Sequence, residues 1–317
     1  TYHFAHAVDD HLMRTTHVVR DESWLSTLPF HIQLFRALGF KMPKYCHTAQ
    51  VLKLDGGSKR KISKRKDPEA ALTFYHAEGY PVSVVREYLL TLLNSNFEEW
   101  RRGHPDAALE DFPFSTKKMA VSGSLFDLDK LNDISRNVIS RMSAEQVYDA
   151  VLAWAREYDP DFAGKLDADP EYAKRILAIG RGGAKPRKDI TVWSGVRDYM
   201  GFFYDAYFRV AEPYPENFAK DDIRRALSAF CDTYDPADDS DAWFAKIKDI
   251  AASIGYAPEV KLYKKDPSAY RGHVGDVSMF LRVAVTGRTN SPDMYTVMQI
   301  LGAERVLSRV RAMSEKL

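Results

Sequence analysis

Apolar and polar positions divide the chain into a mixed first segment and a long helical remainder. In the first segment, short apolar runs at residues 17–19 and 46–54 flank a helical pattern over residues 26–38. Ser26 or Thr27 can cap that helix, and Gly39 can end it. Alternation of strand and helix patterns is typical of α/β structure, so this segment is predicted to contain both.

Helical spacing dominates from residue 67 onward. Asp67-Pro68-Glu69 is typical of a helix start. Helical spacing over residues 81–93 places five apolar residues on one face: Val82, Val85, Tyr88, Leu89 and Leu92. The amphipathic pattern continues through residues 144–158 and 242–254, whereas five aspartates in residues 232–241 predict a solvated linker. The pattern as a whole predicts a mainly α protein.

Composition narrows the class of protein. The chain has 317 residues, 45% of them hydrophobic and 28% charged, which excludes a disordered chain and predicts two or three domains. Its net charge is +1, so a nucleic-acid surface would need local clustering of basic residues. Cys46 and Cys231 form no close pair, which disfavours a zinc site and suits a reducing cytosol. No apolar run approaches the roughly 18 residues of a membrane span.

Residues 59–66, Lys-Arg-Lys-Ile-Ser-Lys-Arg-Lys, carry the densest chemical signal. They follow an apolar run and precede a predicted helix, which is where open α/β sheets place ligands. Gly56 and Gly57 would let the backbone approach a phosphate, and a serine among lysines offers hydroxyl and ammonium donors. The alternative is a solvated basic loop. Residues 61–65, Lys-Ile-Ser-Lys-Arg, resemble the KMSKS-type signature of class I aminoacyl-tRNA synthetases.

The opening segment strengthens this resemblance. Residues 2–5 (Tyr-His-Phe-Ala), 8–13 (Val-Asp-Asp-His-Leu-Met) and 16–25 (Thr-His-Val-Val-Arg-Asp-Glu-Ser-Trp-Leu) closely resemble the glutamyl-tRNA synthetase family. Residues 125–131 (Leu-Phe-Asp-Leu-Asp-Lys-Leu) and 300–307 (Ile-Leu-Gly-Ala-Glu-Arg-Val-Leu) resemble later parts of the same family. The resemblance therefore covers essentially the whole chain.

The family resemblance implies roles for residues in the basic segment. Lys61, Ser63 and Lys64 correspond to the catalytic signature, and Lys64, Ile62 and Trp24 to the ATP site. A lysine ammonium there would bind the ATP phosphates, and Mg²⁺ would accompany the ATP. The alternative for Trp24 is a half-buried core aromatic. No metal site and no zinc are expected in the chain itself.

Three residues near the start correspond to the glutamate-binding part of the family site. Arg20 ends an apolar strand and could grip a carboxylate with its planar fork, and Tyr2 could donate its hydroxyl to the same amino acid. His6 stands where the family usually has asparagine, and it introduces a group that titrates near pH 6.5. The alternative for Arg20 is a surface salt bridge.

The resemblance also implies a fold and its division. Residues 1–66 would be the last part of a nucleotide-binding α/β (Rossmann-like) catalytic domain, residues 67–130 a stem-contact fold, and residues 131–317 an all-helical anticodon-binding domain. In the last, a basic loop at residues 181–188 offers Lys185, Arg187 and Lys188 as tRNA contacts, with a solvated loop as the alternative. Trp193 is expected in the core.

The HIGH-type histidine pair of class I synthetases is absent from the 317 residues. We therefore expect a C-terminal fragment of a glutamate–tRNA ligase, cytoplasmic and monomeric, with L-glutamate and tRNA(Glu) as partners. The intact protein would use ATP with Mg²⁺ to activate glutamate and would transfer it to the 3' end of the tRNA. The fragment alone would bind tRNA without catalysis. A tRNA-binding or regulatory module derived from a synthetase is the alternative.

Overall fold

A computed structural model describes residues 2–120 and 123–317 of the protein. Thr1, which begins the predicted catalytic part, and residues 121–122, in the predicted stem-contact fold, lie outside the described residues. The chain forms two compact units, the first extending to Val138 and the second beginning at Ile139. The finer division at residues 66 and 130 stays a prediction.

Helices make up most of the described chain, which confirms the predicted mainly α class. The α-helices are α1 Tyr2–Leu12, α2 Leu28–Ala37, α3 Leu72–Glu78, α4 Val82–Leu93, α5 Phe97–Gly103, α6 Leu128–Arg141, α7 Ala144–Tyr158, α8 Pro160–Ala168, α9 Pro170–Leu177, α10 Val196–Met200, α11 Lys220–Thr233, α12 Ser240–Ser253, α13 Val260–Lys265, α14 Val274–Thr286, α15 Met294–Leu301 and α16 Ala303–Lys316. The strands are β1 His17–Asp21, β2 Lys44–Thr48, β3 Val51–Asp55, β4 Ser58–Lys61 and β5 Ser124–Leu125.

The first unit opens with a small parallel sheet and two helices. Strands β1 and β2 pair in parallel, and Arg20 lies opposite His47 in their register. Side chains alternate between the two faces of a strand, so Tyr45 shares the face of His47. Helices α1 and α2 contribute buried Ala7 and Phe35. This arrangement brings residues that are far apart in sequence to one face.

A second sheet carries the basic segment. Strand β3 pairs antiparallel with β4 and parallel with β5. Gly56 and Gly57 have φ of +56° and +85°, a conformation that side chains with a Cβ rarely adopt, and they form the turn between β3 and β4. These glycines lie at the opposite end of β4 from Ile62, so the structure does not bring them next to residues 62–65.

Two helix boundaries in the first unit differ from the sequence prediction. A 3₁₀ turn occupies Glu22–Thr27, so α2 begins later than expected, and Asp21 caps the turn by accepting a hydrogen bond from the Ser23 N–H. Asp67 does not begin an α-helix. A short 3₁₀ turn follows it at Pro68–Ala70, and the Asp67 carboxylate makes no capping hydrogen bond to that turn. Gly39 has φ of +68° just beyond α2, as expected of a helix stop.

The buried face of α4 coincides only in part with the predicted one, with which it shares Tyr88. Val84 and Tyr88 are buried, whereas Val82 is 75% exposed and Leu89 is 49% exposed. The helix has apolar residues around most of its circumference, so spacing alone fits more than one face. Packing selects the face of Val84 and Tyr88.

The second unit is a helical bundle around one apolar core. Ser143 and Gln146 form a capping box at the start of α7, which occupies the predicted residues 144–158. Trp193 is 6% exposed and belongs to the core, as expected. The aspartate-rich segment between α11 and α12 is a loop in which Asp239 caps α12.

Candidate functional site: an arginine pocket and the adjoining basic loop

Arg20 is held at the end of β1 by two histidines. Its Nε donates to His47 Nε2 at 3.2 Å, and its Nη1 lies 3.1 Å from His31 Nδ1. Arginine has no acceptor, so both ring nitrogens must be unprotonated acceptors. The register of β1 and β2 places His47 opposite Arg20, and His31 projects from α2.

His31 is completely buried and belongs to a longer chain of hydrogen bonds. Its Nδ1 accepts from Arg20, so its Nε2 carries the hydrogen and donates to His3 Nδ1, 2.8 Å away. Burial, followed by nearby positive charge that includes Arg20, lowers the pKa of His31 to about 4. Burial and Arg20 likewise lower the pKa of His47. Both imidazoles are therefore neutral at pH 7.

Arg20 has no carboxylate partner among the residues that the structure describes. Its guanidinium carbon lies 4.9 Å from the centre of the Tyr45 ring and 5.6 Å from that of Trp24. Its Nη2 is buried and donates to no described acceptor. A buried donor on a cation costs free energy when it stays unpaired. The arrangement is suited to an anion with oxygen acceptors.

The other residues predicted for the amino-acid site lie around Arg20. The Tyr2 ring centre is 4.9 Å from that of Trp24 and 6.1 Å from that of His6, with which it is stacked. His6 Nδ1 lies 2.7 Å from Asp10, and its Nε2 lies 3.0 Å from the Tyr45 hydroxyl. The structure thus brings Tyr2, His6, Arg20 and Trp24 together.

The expectation that His6 titrates near pH 6.5 is wrong. Burial lowers its pKa below that value, although the Asp10 carboxylate acts in the opposite direction. Its Nδ1–H donates to Asp10, so its Nε2 accepts from the Tyr45 hydroxyl. At pH 7 the side chain presents no positive charge to the pocket.

Asp67 organises the basic segment from inside. Its carboxylate accepts two hydrogen bonds from Arg60, both at 2.7 Å, and one from the Ser63 N–H at 2.8 Å. These bonds hold the pKa of Asp67 well below its usual range, with Arg60 the largest cause. Asp67 is 1% exposed, and its own N–H donates to the Ser63 carbonyl at 2.9 Å. These hydrogen bonds therefore fix residues 63–67 in a turn.

The predicted ATP-binding residues occupy different positions on this turn. Lys61 Nζ lies 3.2 Å from Asp21, and the Ile62 N–H donates to the Val51 carbonyl. Lys64 is exposed, and its side chain makes no ion pair or hydrogen bond with the described residues. Of the predicted phosphate donors, Lys64 is the ammonium group available to a ligand.

Acidification from pH 7 to pH 4.5 is expected to destabilise the first unit through His31. Its pKa is about 4 when folded and 6.5 in an unfolded chain, so the unfolded state binds the proton first. The stability that neutral His31 contributes is complete above pH 6.5 and declines towards pH 4. The resulting loss in the free energy of unfolding is at most about 3 kcal/mol. Urea unfolding at several pH values should show a shallower pH dependence for His31→Gln than for the wild type.

The exposed His17 offers a matched control for that measurement. His17→Gln should keep the wild-type pH dependence of the unfolding free energy. Equal dependence in all three proteins would show that His31 is not the group that couples stability to pH.

In the second unit the basic loop has a mixed character. Arg181 is a structural residue, since it donates to the carbonyls of Leu177, Ile139 and Met142. Arg187 donates twice to Asp189, at 2.6 and 2.9 Å. The structure thus places Arg187 in an internal ion pair.

The two lysines of this loop, Lys185 and Lys188, are both exposed. Their ammonium groups are accessible to a phosphate backbone, whereas the Arg187 guanidinium must share or leave Asp189 to contact a base.

Sequence reasoning missed four residues that shape these sites: His31, Tyr45, His47 and Asp67. Tyr45 and His47 alternate in a short strand, which placed them on one face, but no local signal named Arg20 as their neighbour. Asp67 carried a helix-start signal that concealed its contacts with Ser63 and Arg60.

The described residues contain neither a metal-binding cluster nor a membrane-spanning helix. No cluster of three or more histidine, cysteine, aspartate or glutamate side chains there could hold a metal ion. None of the described helices is both long enough and apolar enough to cross a membrane.

Comparisons with known proteins show which proteins the chain is similar to. A family model described as "tRNA synthetases class I (E and Q), catalytic domain" matches residues 1–124, and one described as "Anticodon binding domain" matches residues 271–314. The chain is 51% identical over 311 residues to a glutamate–tRNA ligase of Acetivibrio thermocellus and 50% identical over 326 residues to one of Sorangium cellulosum. Each match covers 98% of this chain and 57% of the relative.

Solved structures share the fold. A glutamate–tRNA ligase from Elizabethkingia meningosepticum, crystallised with its amino acid, matches all of this chain and 60% of its own with a TM-score of 0.66 and 22% identity. A glutamate–tRNA synthetase from Elizabethkingia anophelis matches 99% of this chain and 60% of its own with a TM-score of 0.67. The chain thus spans little more than half the length of its curated relatives, and it belongs to the glutamyl-tRNA synthetase family of class I aminoacyl-tRNA synthetases.

Proposed function

We propose that this chain is part of a glutamate–tRNA ligase and supplies its carboxylate-binding arginine, its phosphate-binding loop and its anticodon-binding helices. The complete ligase would activate L-glutamate with ATP and then transfer it to the 3' end of tRNA(Glu). It would act in the cytoplasm as a monomer. Family membership supports the reaction class.

The observation that carries the proposal is the uncompensated Arg20. A cation with a buried, unpaired donor, framed by Tyr2, Trp24 and Tyr45, is suited to a small carboxylate ligand. Glutamate supplies two carboxylates, of which one must remain free to react. We assign the other to Arg20, with Tyr2 and His6 beside it.

Lys61, Ile62, Ser63 and Lys64 would serve the ATP. In activation, a glutamate carboxylate oxygen attacks the α-phosphorus, the bond from that phosphorus to the bridging oxygen breaks, and pyrophosphate leaves. Lys64 would stabilise the negative charge that develops on the phosphates. Mg²⁺ accompanying the ATP would be held chiefly by phosphate oxygens and waters. Trp24 would offer a flat apolar face to the nucleotide.

The polypeptide 1–317 alone is expected to show no glutamate-dependent pyrophosphate exchange. It carries no HIGH-type histidine pair to stabilise the pentavalent phosphorus. A chimera in which this chain replaces the matching part of the Acetivibrio thermocellus ligase, here called the completed ligase, should regain the exchange. Turnover by 1–317 comparable to that of the completed ligase would contradict the fragment assignment, once contamination by the expression host's own synthetase is excluded. A completed ligase that folds but stays inactive would contradict the ligase proposal.

The tRNA-binding or regulatory module is the second candidate, supported by the basic loop of the second unit. Both candidates predict tRNA binding through phosphates, with the log-affinity versus log-salt slope falling by about 0.7–0.9 for each contact removed. They differ in the first unit, because a module without ATP chemistry has no use for Lys64 or for Arg20.

Two substitutions in the basic loop are expected to affect tRNA binding differently. Lys185→Ala should weaken binding of every tRNA alike and reduce the salt slope, since a lysine on phosphate reads no sequence. Arg187→Gln should change the preference between anticodon variants by about 1–3 kcal/mol if its guanidinium leaves Asp189 for a base. Binding to tRNAs that differ in one anticodon base, at two salt concentrations, separates these effects.

Asp189→Asn is the matched variant, because it frees Arg187 while keeping the side-chain size. It should strengthen tRNA binding. No change of affinity or salt slope in any of the three variants would assign the loop to solvent.

A further inference from the structure

A half-buried arginine is usually held by a carboxylate, whereas Arg20 is held by two neutral histidines. We propose that His31 and His47 are positioning residues that fix Arg20 without neutralising it, so that its charge stays available to the glutamate carboxylate. This inference rests on the proposed function. It adds to the site two residues that touch Arg20 and not the substrate.

The hydrogen-bond geometry defines what is left for a ligand. Arg20 has five N–H bonds, and it uses one on Nε for His47 and one on Nη1 for His31. Two on Nη2 and one on Nη1 remain. A carboxylate can accept two of these at once, and such paired, charge-assisted bonds are among the strongest in proteins.

The nearby carboxylates are committed to other groups. Asp10 lies 2.7 Å from His6, and Asp21, the next residue along β1, caps the following turn and lies 3.2 Å from Lys61. Among the described residues, therefore, Arg20 contacts imidazole nitrogens and aromatic faces and no anion.

The supports of Arg20 are themselves held by neighbouring elements. His31 is fully buried and is fixed from behind by His3 of α1, while His47 is fixed by the β1–β2 register. The Tyr45 ring, 4.9 Å from the guanidinium carbon, restricts movement on one side. An arginine held from two elements loses little conformational freedom when the ligand arrives, which favours binding.

His47 is the position to test, because it is only half-buried and tolerates replacement better than His31. His47→Gln offers Arg20 a neutral oxygen acceptor. His47→Glu introduces a side chain of the same shape as glutamine, but its acceptor carries a negative charge. Glutamate-dependent pyrophosphate exchange in the completed ligase gives the KM for glutamate and the KM for ATP separately.

His47→Gln should keep the KM for glutamate within a few-fold of the wild type. His47→Glu should raise it by roughly tenfold or more, because a charge beside the guanidinium competes with the substrate carboxylate. The KM for ATP should stay unchanged in both variants, which a merely structural defect would not preserve.

The possible failures are distinguishable. A wild-type completed ligase without exchange would overturn the proposed function. An active wild type with an unaltered KM for glutamate in His47→Glu would overturn this inference and leave the function intact. Equal losses in His47→Gln and His47→Glu would also overturn it, since the acceptor's charge would then be irrelevant.

Discussion

Replacing Arg20 by leucine is expected to reduce glutamate-dependent pyrophosphate exchange in the completed ligase by about 30-fold to several thousand-fold. Removing one partner of a desolvated, hydrogen-bonded charge pair costs about 2–5 kcal/mol. The pocket holds no second cation among the described residues that contact Arg20, so nothing replaces the lost fork. The loss should fall on the KM for glutamate and on kcat/KM, with the KM for ATP unchanged.

Arg20→Lys separates charge from geometry, and Arg36→Leu is the matched control. A lysine keeps the charge but lacks the planar fork, so its activity should lie between those of the wild type and Arg20→Leu. Arg36 is an exposed arginine at the end of α2, and its loss should leave the exchange unchanged. Wild-type kinetics in Arg20→Leu would show that the pocket does not bind the reacting amino acid.

Lys64→Ala is expected to slow adenylate formation in the completed ligase by tens- to thousands-fold. Losing one preorganised donor to a transition-state phosphate costs roughly 2–4 kcal/mol. The Lys64 side chain is exposed and makes no ion pair or hydrogen bond with the described residues. Its loss should therefore barely change the free energy of unfolding. Pre-steady-state measurement of adenylate formation, with thermal unfolding recorded beside it, tests both parts.

Lys66, two residues along the same turn and also exposed, provides the control. Lys66→Ala removes the same charge from the same segment and should have a much smaller effect. If the two variants slow activation equally, the segment acts through its general charge. If neither does, residues 61–65 form a solvated basic loop.

Local patterns predicted the frame of the pocket but not its contacts. The apolar run at residues 17–19 predicted a strand that ends near Arg20, and this is confirmed. The partners His31 and His47 lie 11 and 27 residues further along the chain. Their approach depends on strand register and helix packing, which are tertiary properties that no local window contains.

Asp67 shows a different reason for failure. An aspartate before Pro68 is a common helix start, and the sequence offers nothing to separate that role from the burial found here. What decides between them is the arrival of Arg60 from β4, which supplies two donors that a solvated cap would not have. A helix-start signal is overridden when a charge on the preceding strand offers a stronger interaction.

The bonds around Asp67 also limit how the neighbouring turn can move. Ser63 and Asp67 are joined twice, by Ser63 N–H to the carboxylate and by Asp67 N–H to the Ser63 carbonyl, and Arg60 anchors the same carboxylate. Between these two fixed points lie three residues, Lys64 to Lys66. In the proposed ligase, we therefore expect the motion that accompanies nucleotide entry and pyrophosphate departure to be a short swing of these three residues about a stationary base.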